Sequence, residues 1–145
     1  MHTVLLVDDN AKLRRLYRLS LEMAMDLKVV AEASDGLEAI ERAREKQPDL
    51  ILLDLSMPTM DGLEALGHLR ETTPRSHVVV LTGFRSDGLG ALAIELGASG
   101  YIEKGISPTH LAARVREVAL TPVPEYHPPA EERRLQLQAR MAELV

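Results

Sequence analysis

Five polar residues in this sequence stand at or just beyond the ends of short apolar runs, and their types could do chemistry together. They are two neighbouring acids, a third acid, a threonine and a lysine: Asp8, Asp9, Asp54, Thr82 and Lys104. If the runs are parallel strands of one sheet, their carboxyl ends lie along one edge, where ligand sites form in such sheets. We therefore expect these side chains to converge on one site.

The three acids predict a magnesium site. Carboxylates crowded together repel each other and raise each other's pKa unless a cation joins them. A hard divalent ion such as Mg²⁺ prefers oxygen ligands and would remove this repulsion. Asp9 and Asp54 could bind the ion directly, and Asp8 could orient a bound water. The backbone carbonyl of Ser56 could supply a third protein ligand.

The remaining polar groups suit a phosphoryl group. Lys104 is a cation on a flexible stem that could contact a phosphate oxygen. Thr82 offers a hydroxyl, and Gly83 leaves its backbone amide open to an anion. A carboxylate nucleophile, a metal and a cation that neutralises charge on the equatorial oxygens are the parts of phosphoryl transfer. Asp54 is the predicted nucleophile.

An alternation of strand-like and helix-like segments through about residue 120 must position this site. Short apolar runs typical of parallel strands covered on both faces are predicted as strands at 3–7, 28–33, 50–53, 78–81 and 101–102. Helical patterns separate and follow these runs. Five strands alternating with five helices predict an α/β fold, a doubly wound parallel sheet with right-handed crossovers.

Capping residues mark the predicted helix boundaries. Asp35 and Asp61 are predicted N-caps of the second and third helices, and Ser107 is the predicted N-cap of the fifth. Gly97 is predicted to close the fourth helix. The apolar spacing of the first helix predicts an inner face of Leu13, Leu16, Tyr17, Leu21 and Ala24.

The composition argues against several other classes of protein. The formal net charge is −5, which disfavours direct nucleic-acid binding because that needs a basic surface. The absence of cysteine excludes disulfides and a thiol nucleophile. No stretch approaches the roughly 20 consecutive apolar residues of a membrane helix. We expect a cytoplasmic protein without membrane or direct nucleic-acid contacts.

The segment after the fifth helix differs in composition. Residues 121–130 contain four prolines and are predicted to form a Pro-rich linker, followed by a short helical tail at 131–145. One rough face of that helix carries Leu135, Gln138, Met141 and either Leu144 or Val145, and the helix is too short to be stable alone. Dimerisation, docking and connection to an output domain remain open as roles. No output domain is visible, so the chain is either a stand-alone unit or part of a longer protein.

These motifs together resemble the receiver domain of two-component response regulators. The matching segments are Asp8-Asp9, Asp54-Leu55-Ser56-Met57-Pro58 with Asp61-Gly62, Thr82-Gly83, and Lys104. The separations also match, with 28 residues from Asp54 to Thr82 and 22 from there to Lys104. The resemblance covers residues 1 to about 120 and implies a flavodoxin-like receiver fold, similar to chemotaxis regulators, with strand order 2-1-3-4-5.

The resemblance implies a role for each matching residue. Asp54 is similar to the phosphoacceptor, and the acid pair before it in the chain is similar to the metal-binding acids. Lys104 resembles the lysine that grips the phosphoryl group. Thr82 resembles the switch hydroxyl, and Tyr101 resembles the switch aromatic that rotates when the hydroxyl moves.

The resemblance also implies partners and a cofactor. The phosphoryl donor is expected to be a sensor histidine kinase or a histidine phosphotransfer protein. The expected cofactor is Mg²⁺, for which Mn²⁺ can substitute. The signal passes to an unidentified output partner or output domain, and a homodimer is one assembly left open. The chain is expected to be a signalling phosphoacceptor that promotes its own phosphorylation and dephosphorylation, not an enzyme acting on a separate substrate.

Two positions depart from the usual receiver pattern. Receivers usually have a proline after the lysine, often in a cis peptide, and this sequence has Gly105 there. Receivers that carry helix-turn-helix outputs often lack that proline too. Phe84 is a bulky group two residues after Thr82, where it could limit the access of water.

Two other functions fit part of this pattern. An aspartate nucleophile with Mg²⁺ also fits haloacid-dehalogenase-like phosphatases, but these need a second acid two residues after the nucleophile. That position holds Ser56, and no cap domain is visible. A receiver that acts through protein contacts alone, without phosphorylation, is disfavoured by the complete set of acids, threonine and lysine.

Overall fold

A five-stranded parallel sheet forms the centre of the molecule. The computed structural model describes residues 1–55, 62–83 and 88–144. The strands run in the order β2-β1-β3-β4-β5, which confirms the predicted fold. Their bounds are β1 His2–Val7, β2 Leu27–Ala33, β3 Leu50–Asp54, β4 His77–Thr82 and β5 Gly100–Glu103.

Helices follow every strand, and one more helix lies beyond the fifth. Their bounds are α1 Ala11–Glu22, α2 Gly36–Lys46, α3 Gly62–Thr72, α4 Leu89–Glu95, α5 Pro108–Ala119 and α6 Glu131–Leu144. Within the described parts of the chain, none of these helices has both the length and the apolar composition needed to cross a bilayer.

The central strands are apolar on both faces because helices cover both sides of the sheet. Every residue of β3 and of β4 is buried. The alternating side chains of the sheet enter two separate apolar clusters, one represented by Ile51 and Leu53 and the other by Leu50 and Leu52. The continuous apolar runs in the sequence are therefore a consequence of burial on both faces.

Local capping chemistry sets the helix boundaries. Asp35 Oδ1 accepts a hydrogen bond from the amide of Glu38 at 2.8 Å, and Ser107 Oγ accepts one from the amide of His110 at 3.3 Å. Gly97, just beyond α4, has a φ of 111°, a left-handed conformation that glycine adopts without strain. These three predictions are confirmed, whereas Asp61 lies outside the described residues.

The predicted inner face of α1 is wrong at one position. Tyr17 and Leu21 are buried as expected, but Leu16 is 50% exposed. Ser20 is buried instead, and its hydroxyl donates to the carbonyl of Leu16 at 2.8 Å. A serine can lie on the inner face because this bond within the helix satisfies its polar group.

The tail contacts the domain through a residue that the apolar spacing did not select. The segment between α5 and α6 contains no helix or strand. In α6, Leu137 is 1% exposed whereas Leu135, assigned to the apolar face from sequence, is 55% exposed. That assignment is therefore wrong, and the side chains of Met141 and Leu144 lie outside the described residues.

Candidate functional site

The strand register brings the predicted site residues to one edge of the sheet. Val7 pairs with Leu53 across β1 and β3, so the residues that follow β1 lie beside Asp54. Asp54 in turn pairs with Leu81 in β4, which places it next to the end of that strand. Thr82 pairs with Glu103 in β5, directly before the lysine.

The three acids lie close together at this edge. Asp8, Asp9 and Asp54 each offer a carboxylate oxygen, and these oxygens lie within 4.8 Å of one another. Asp8 and Asp54 are each 1% exposed, whereas Asp9 is exposed. Such a group of hard oxygen donors, open to solvent on the side of Asp9, could hold a small divalent cation.

The surroundings of Asp8 are unfavourable to a negative charge. Burial raises the pKa of the Asp8 carboxyl above its ordinary value and the charge of Asp54 raises it further, although a hydrogen bond opposes them. That bond runs from the amide of Asn10 to Asp8 Oδ1 at 2.9 Å. Asp8 Oδ2 is buried and has no hydrogen-bond partner among the described residues. A cation in the cluster would satisfy this oxygen.

Lys104 is in direct contact with the predicted nucleophile. Its Nζ lies 3.0 Å from Asp54 Oδ1, and the lysine side chain is 21% exposed. The backbone amide of Lys104 also donates to the carbonyl of Thr82 at 2.7 Å. The lysine is therefore attached to β4 by its backbone and to β3 by its ammonium group.

Thr82 and Gly83 line the approach from the side of β4. Thr82 is 2% exposed. A Cβ atom built on Gly83 would meet no atom of the described residues within 4 Å. An anion bound to Asp54 could approach this backbone without meeting a side chain of Gly83.

Tyr101, the predicted switch aromatic, lies against α4. Its side chain is 46% exposed. A Cβ atom added to Gly90 would lie 2.5 Å from Cγ of the Tyr101 ring, so the ring rests directly on the backbone of the helix. Glycine is needed at this position in α4 because any larger residue would displace the ring.

The backbone explains the glycine that follows the lysine. Gly105 has a φ of 95°. Proline is restricted to a φ near −65°, so this loop conformation requires a residue that tolerates positive φ. The departure from the usual receiver pattern is therefore a different turn after Lys104. Two other predictions, the ligand carbonyl of Ser56 and the obstruction by Phe84, lie outside the described residues.

Two supporting residues were missed from sequence. Asn10 Oδ1 accepts from the amides of Lys12 and Leu13 at 3.0 and 3.1 Å, and so caps α1 directly after the acid pair. Arg14 donates from Nη1 to the carbonyl of Asp8 at 2.7 Å. An asparagine just before a helical pattern is a recognisable cap, whereas the bond from Arg14 has no local signature.

Comparisons with known proteins agree with this geometry. Residues 4–116 match the response regulator receiver domain family, and the chain belongs to that family. It is 41% identical over 117 residues to the nitrate/nitrite response regulator protein NarL of Escherichia coli (strain K12), covering 81% of this chain and 54% of that protein. It is 35% identical over 118 residues to the transcriptional regulatory protein LnrK of Bacillus subtilis (strain 168), with the same coverage of 81% and 54%.

Solved structures show the same fold. The REC domain of AraT, a response regulator from Geobacillus stearothermophilus, matches with a TM-score of 0.74 and 35% identity, over 94% of this chain and 98% of that one. A two-component response regulator of the LuxR family from Aurantimonas sp. SI85-9A1 matches with a TM-score of 0.78 and 29% identity, over 99% and 96%. The protein is thus a response regulator receiver domain, and it spans about half the length of the curated relatives described above. None of these matches supports the phosphatase alternative.

Proposed function

We propose that this receiver domain accepts a phosphoryl group on Asp54, in the cytoplasm, from a sensor histidine kinase or a histidine phosphotransfer protein. The reaction depends on Mg²⁺, or on Mn²⁺ in its place, and the resulting conformational change controls a partner or an output domain. The observation that carries this proposal is the buried Asp54 carboxylate beside Asp8 and Asp9, with Lys104 Nζ at 3.0 Å.

Asp54 and Lys104 have different roles in the proposed phosphoryl transfer. An oxygen of Asp54 attacks phosphorus, the bond from phosphorus to the donor imidazole breaks, and the leaving nitrogen keeps the electron pair and takes a proton. Lys104 then contacts an oxygen of the transferred group in place of Asp54 Oδ1, so that its charge is never left unpaired. The space at the Cβ position of Gly83, where no described atom lies within 4 Å, leaves room for a second oxygen.

Asp8, Asp9 and Asp54 are the described residues that would hold the divalent ion. Their oxygen donors suit Mg²⁺, and the buried Oδ2 of Asp8 needs a partner. The bound ion would supply positive charge to the transferring oxygens. Asp9 is the exposed member of the cluster, so it offers the entry side, while Asp8 is held in place by the amide of Asn10.

We propose Thr82 and Tyr101 as the switch. A phosphoryl group on Asp54 brings negative charge and acceptor oxygens to within reach of the buried Thr82 hydroxyl, which can donate to them. A shift of Thr82 changes the space beside β5, where Tyr101 lies on Gly90 of α4. The helix that carries Gly90 is therefore the element that the switch reaches first.

The direct test is chemical phosphorylation of the full chain. With Mg²⁺ and acetyl phosphate or a phosphoramidate, intact mass spectrometry should show one added phosphoryl group, and borohydride trapping should locate it at Asp54. Chelation of the metal should prevent the addition. A chain that gains no phosphoryl group at any Mg²⁺ concentration would refute the proposal.

Metal binding is expected to depend strongly on Asp9. The Asp9→Asn variant loses one anionic ligand, so Mg²⁺ affinity in isothermal titration should fall by roughly 10- to 100-fold, at least the loss seen when outer-shell partners of a metal are removed. Asp26→Asn is the matched control, because it removes the same charge from an exposed ion pair with Arg116. Equal Mg²⁺ affinities in wild type and Asp9→Asn would contradict the assignment.

A further inference from the structure

The tail first contacts the domain directly after α5. His77, at the start of β4, is 4% exposed. Its Nε2 lies 2.9 Å from the carbonyl of Thr121, and its Nδ1 lies 2.7 Å from the hydroxyl of Ser99. Because a carbonyl can only accept, Nε2 carries the proton and donates it. This bond sets the direction in which the chain leaves α5.

A buried arginine then holds the proline-rich segment. Arg70 of α3 is 1% exposed, and its guanidinium donates to the carbonyls of Pro74 at 3.4 Å, Ser76 at 3.2 Å and Pro124. The Tyr126 ring lies over the guanidinium, with its centroid 5.5 Å from Cζ. Burial lowers the pKa of Arg70. The tail thus supplies two of the groups that compensate a buried cation, which would be costly to leave without partners.

The same tyrosine occupies a place made for it by glycine. A Cβ atom added to Gly97 would lie 2.8 Å from Cδ1 of Tyr126, and one added to Gly67 would lie 3.7 Å from its hydroxyl oxygen. The ring therefore lies between α3 and the end of α4. Gly97 therefore has two roles. It ends α4 in a left-handed conformation, and its lack of a side chain allows the Tyr126 ring to contact the backbone.

Helix α6 completes the docking by covering α4. Leu137 is 1% exposed and belongs to the same apolar cluster as Leu92 and Leu96 of α4. Arg133 of α6 forms an ion pair with Glu95 of α4. A helix of 14 residues is marginal by itself, so these contacts stabilise it.

Helix α4 therefore has two sets of contacts. Gly90 carries the ring of Tyr101, and Glu95 with the neighbouring leucines holds the tail. The docked tail and the direct bond from Lys104 to Asp54 occur in one and the same arrangement. A phosphoryl group on Asp54 would replace that ion pair, so the docked tail is seen together with the unphosphorylated arrangement of the site.

We propose that residues 121–144 are a latch on α3 and α4, and that phosphorylation of Asp54 loosens it. The route is Thr82, Tyr101 and then α4, and the inference rests on the proposed function. Because coupling between two sites is reciprocal, weakening the latch also favours the phosphorylated state. Release of the latch uncovers Leu92, Leu96 and Leu137 for an apolar partner surface.

Hydrogen exchange of the full chain tests this latch. In the wild type, phosphorylation confirmed by intact mass should increase exchange of amides 131–144 by about fivefold or more, the lower range of typical coupling between sites. Exchange in α1 serves as the internal reference, because its buried Tyr17 and Leu21 belong to the other apolar cluster, separate from the one that contains Leu137. Unchanged exchange of 131–144 in a phosphorylated chain would overturn the latch and leave the proposed function standing. A chain that cannot be phosphorylated would overturn both.

Substitutions at the contact between α4 and α6 test the reciprocal effect. Leu137→Ala should increase exchange of 131–144 before phosphorylation and raise the phosphorylated fraction at limiting acetyl phosphate by about fivefold. The matched control is Leu135→Ala, which removes the same atoms from an exposed position and should change neither. Glu95→Gln provides a milder second variant, since it breaks the ion pair with Arg133 without opening a cavity. Identical behaviour of the Leu137 and Leu135 variants would refute the latch.

Discussion

The Asp54→Asn variant should accept no phosphoryl group at position 54 from acetyl phosphate, a phosphoramidate or a histidine kinase. Asparagine has nearly the shape of aspartate, but its amide is not a nucleophile toward phosphorus and carries no charge for Mg²⁺ or Lys104. The effect is therefore a complete loss rather than a slower reaction. Intact mass spectrometry after prolonged incubation with Mg²⁺ is the measurement.

The loss must be separated from a folding defect and from a general effect of charge. Asp54→Asn removes one charge from the buried cluster with Asp8, so the variant should remain folded, and circular dichroism checks this. Asp26→Asn makes the same chemical change in an exposed ion pair and should be phosphorylated like the wild type. Phosphorylation of Asp54→Asn at the wild-type rate would show that another residue is the acceptor.

Replacing Lys104 by alanine is expected to slow phosphorylation by roughly 10²- to 10³-fold, the usual loss when one group that stabilises developing negative charge is removed. The ammonium lies 3.0 Å from Asp54 Oδ1, and so within reach of oxygens on a group attached to that carboxylate. Rates of phosphorylation from acetyl phosphate at saturating Mg²⁺ measure this effect. Lys28→Ala removes an exposed lysine of β2 and should leave the rate unchanged.

Magnesium titration of the same variant distinguishes the proposed role from metal binding. Lys104 places a positive charge next to the acid cluster, so its removal should leave Mg²⁺ affinity unchanged or higher, because like charges repel. The phosphorylation rate should therefore fall while the Mg²⁺ affinity does not. A Lys104→Ala variant that loses Mg²⁺ binding together with its rate would show that the lysine acts by holding the acids in place.

The convergence of the site could be predicted from sequence for a simple physical reason. In a parallel sheet the carboxyl ends of all strands meet at one edge, so the residue after each apolar run is located once the runs are recognised as strands. The register that brings Asp54 beside Leu81 and Thr82 beside Glu103 is the outcome of that rule. Helix caps such as Asp35 and Ser107 could also be predicted from sequence, because each cap bonds to an amide three residues further along the chain.

The tertiary structure alone decided what depends on distant contacts. Spacing in α6 suggested Leu135, but the position of α4 determines that Leu137 is the buried leucine. Nothing in the sequence near Arg70 distinguishes it from a surface arginine of α3. In the folded chain, Pro124 and Tyr126 contact its guanidinium group.

What the sequence predicts and what the tertiary structure decides differ in the sequence separation of the interacting residues. Hydrophobic period, capping and strand direction act over a few residues and can be read along the chain. Burial of Asp8 beside Asp54 and contact of Tyr126 with Arg70 join residues far apart in sequence. Only the packing of helices on the sheet specifies such contacts, because each depends on where every intervening element comes to rest.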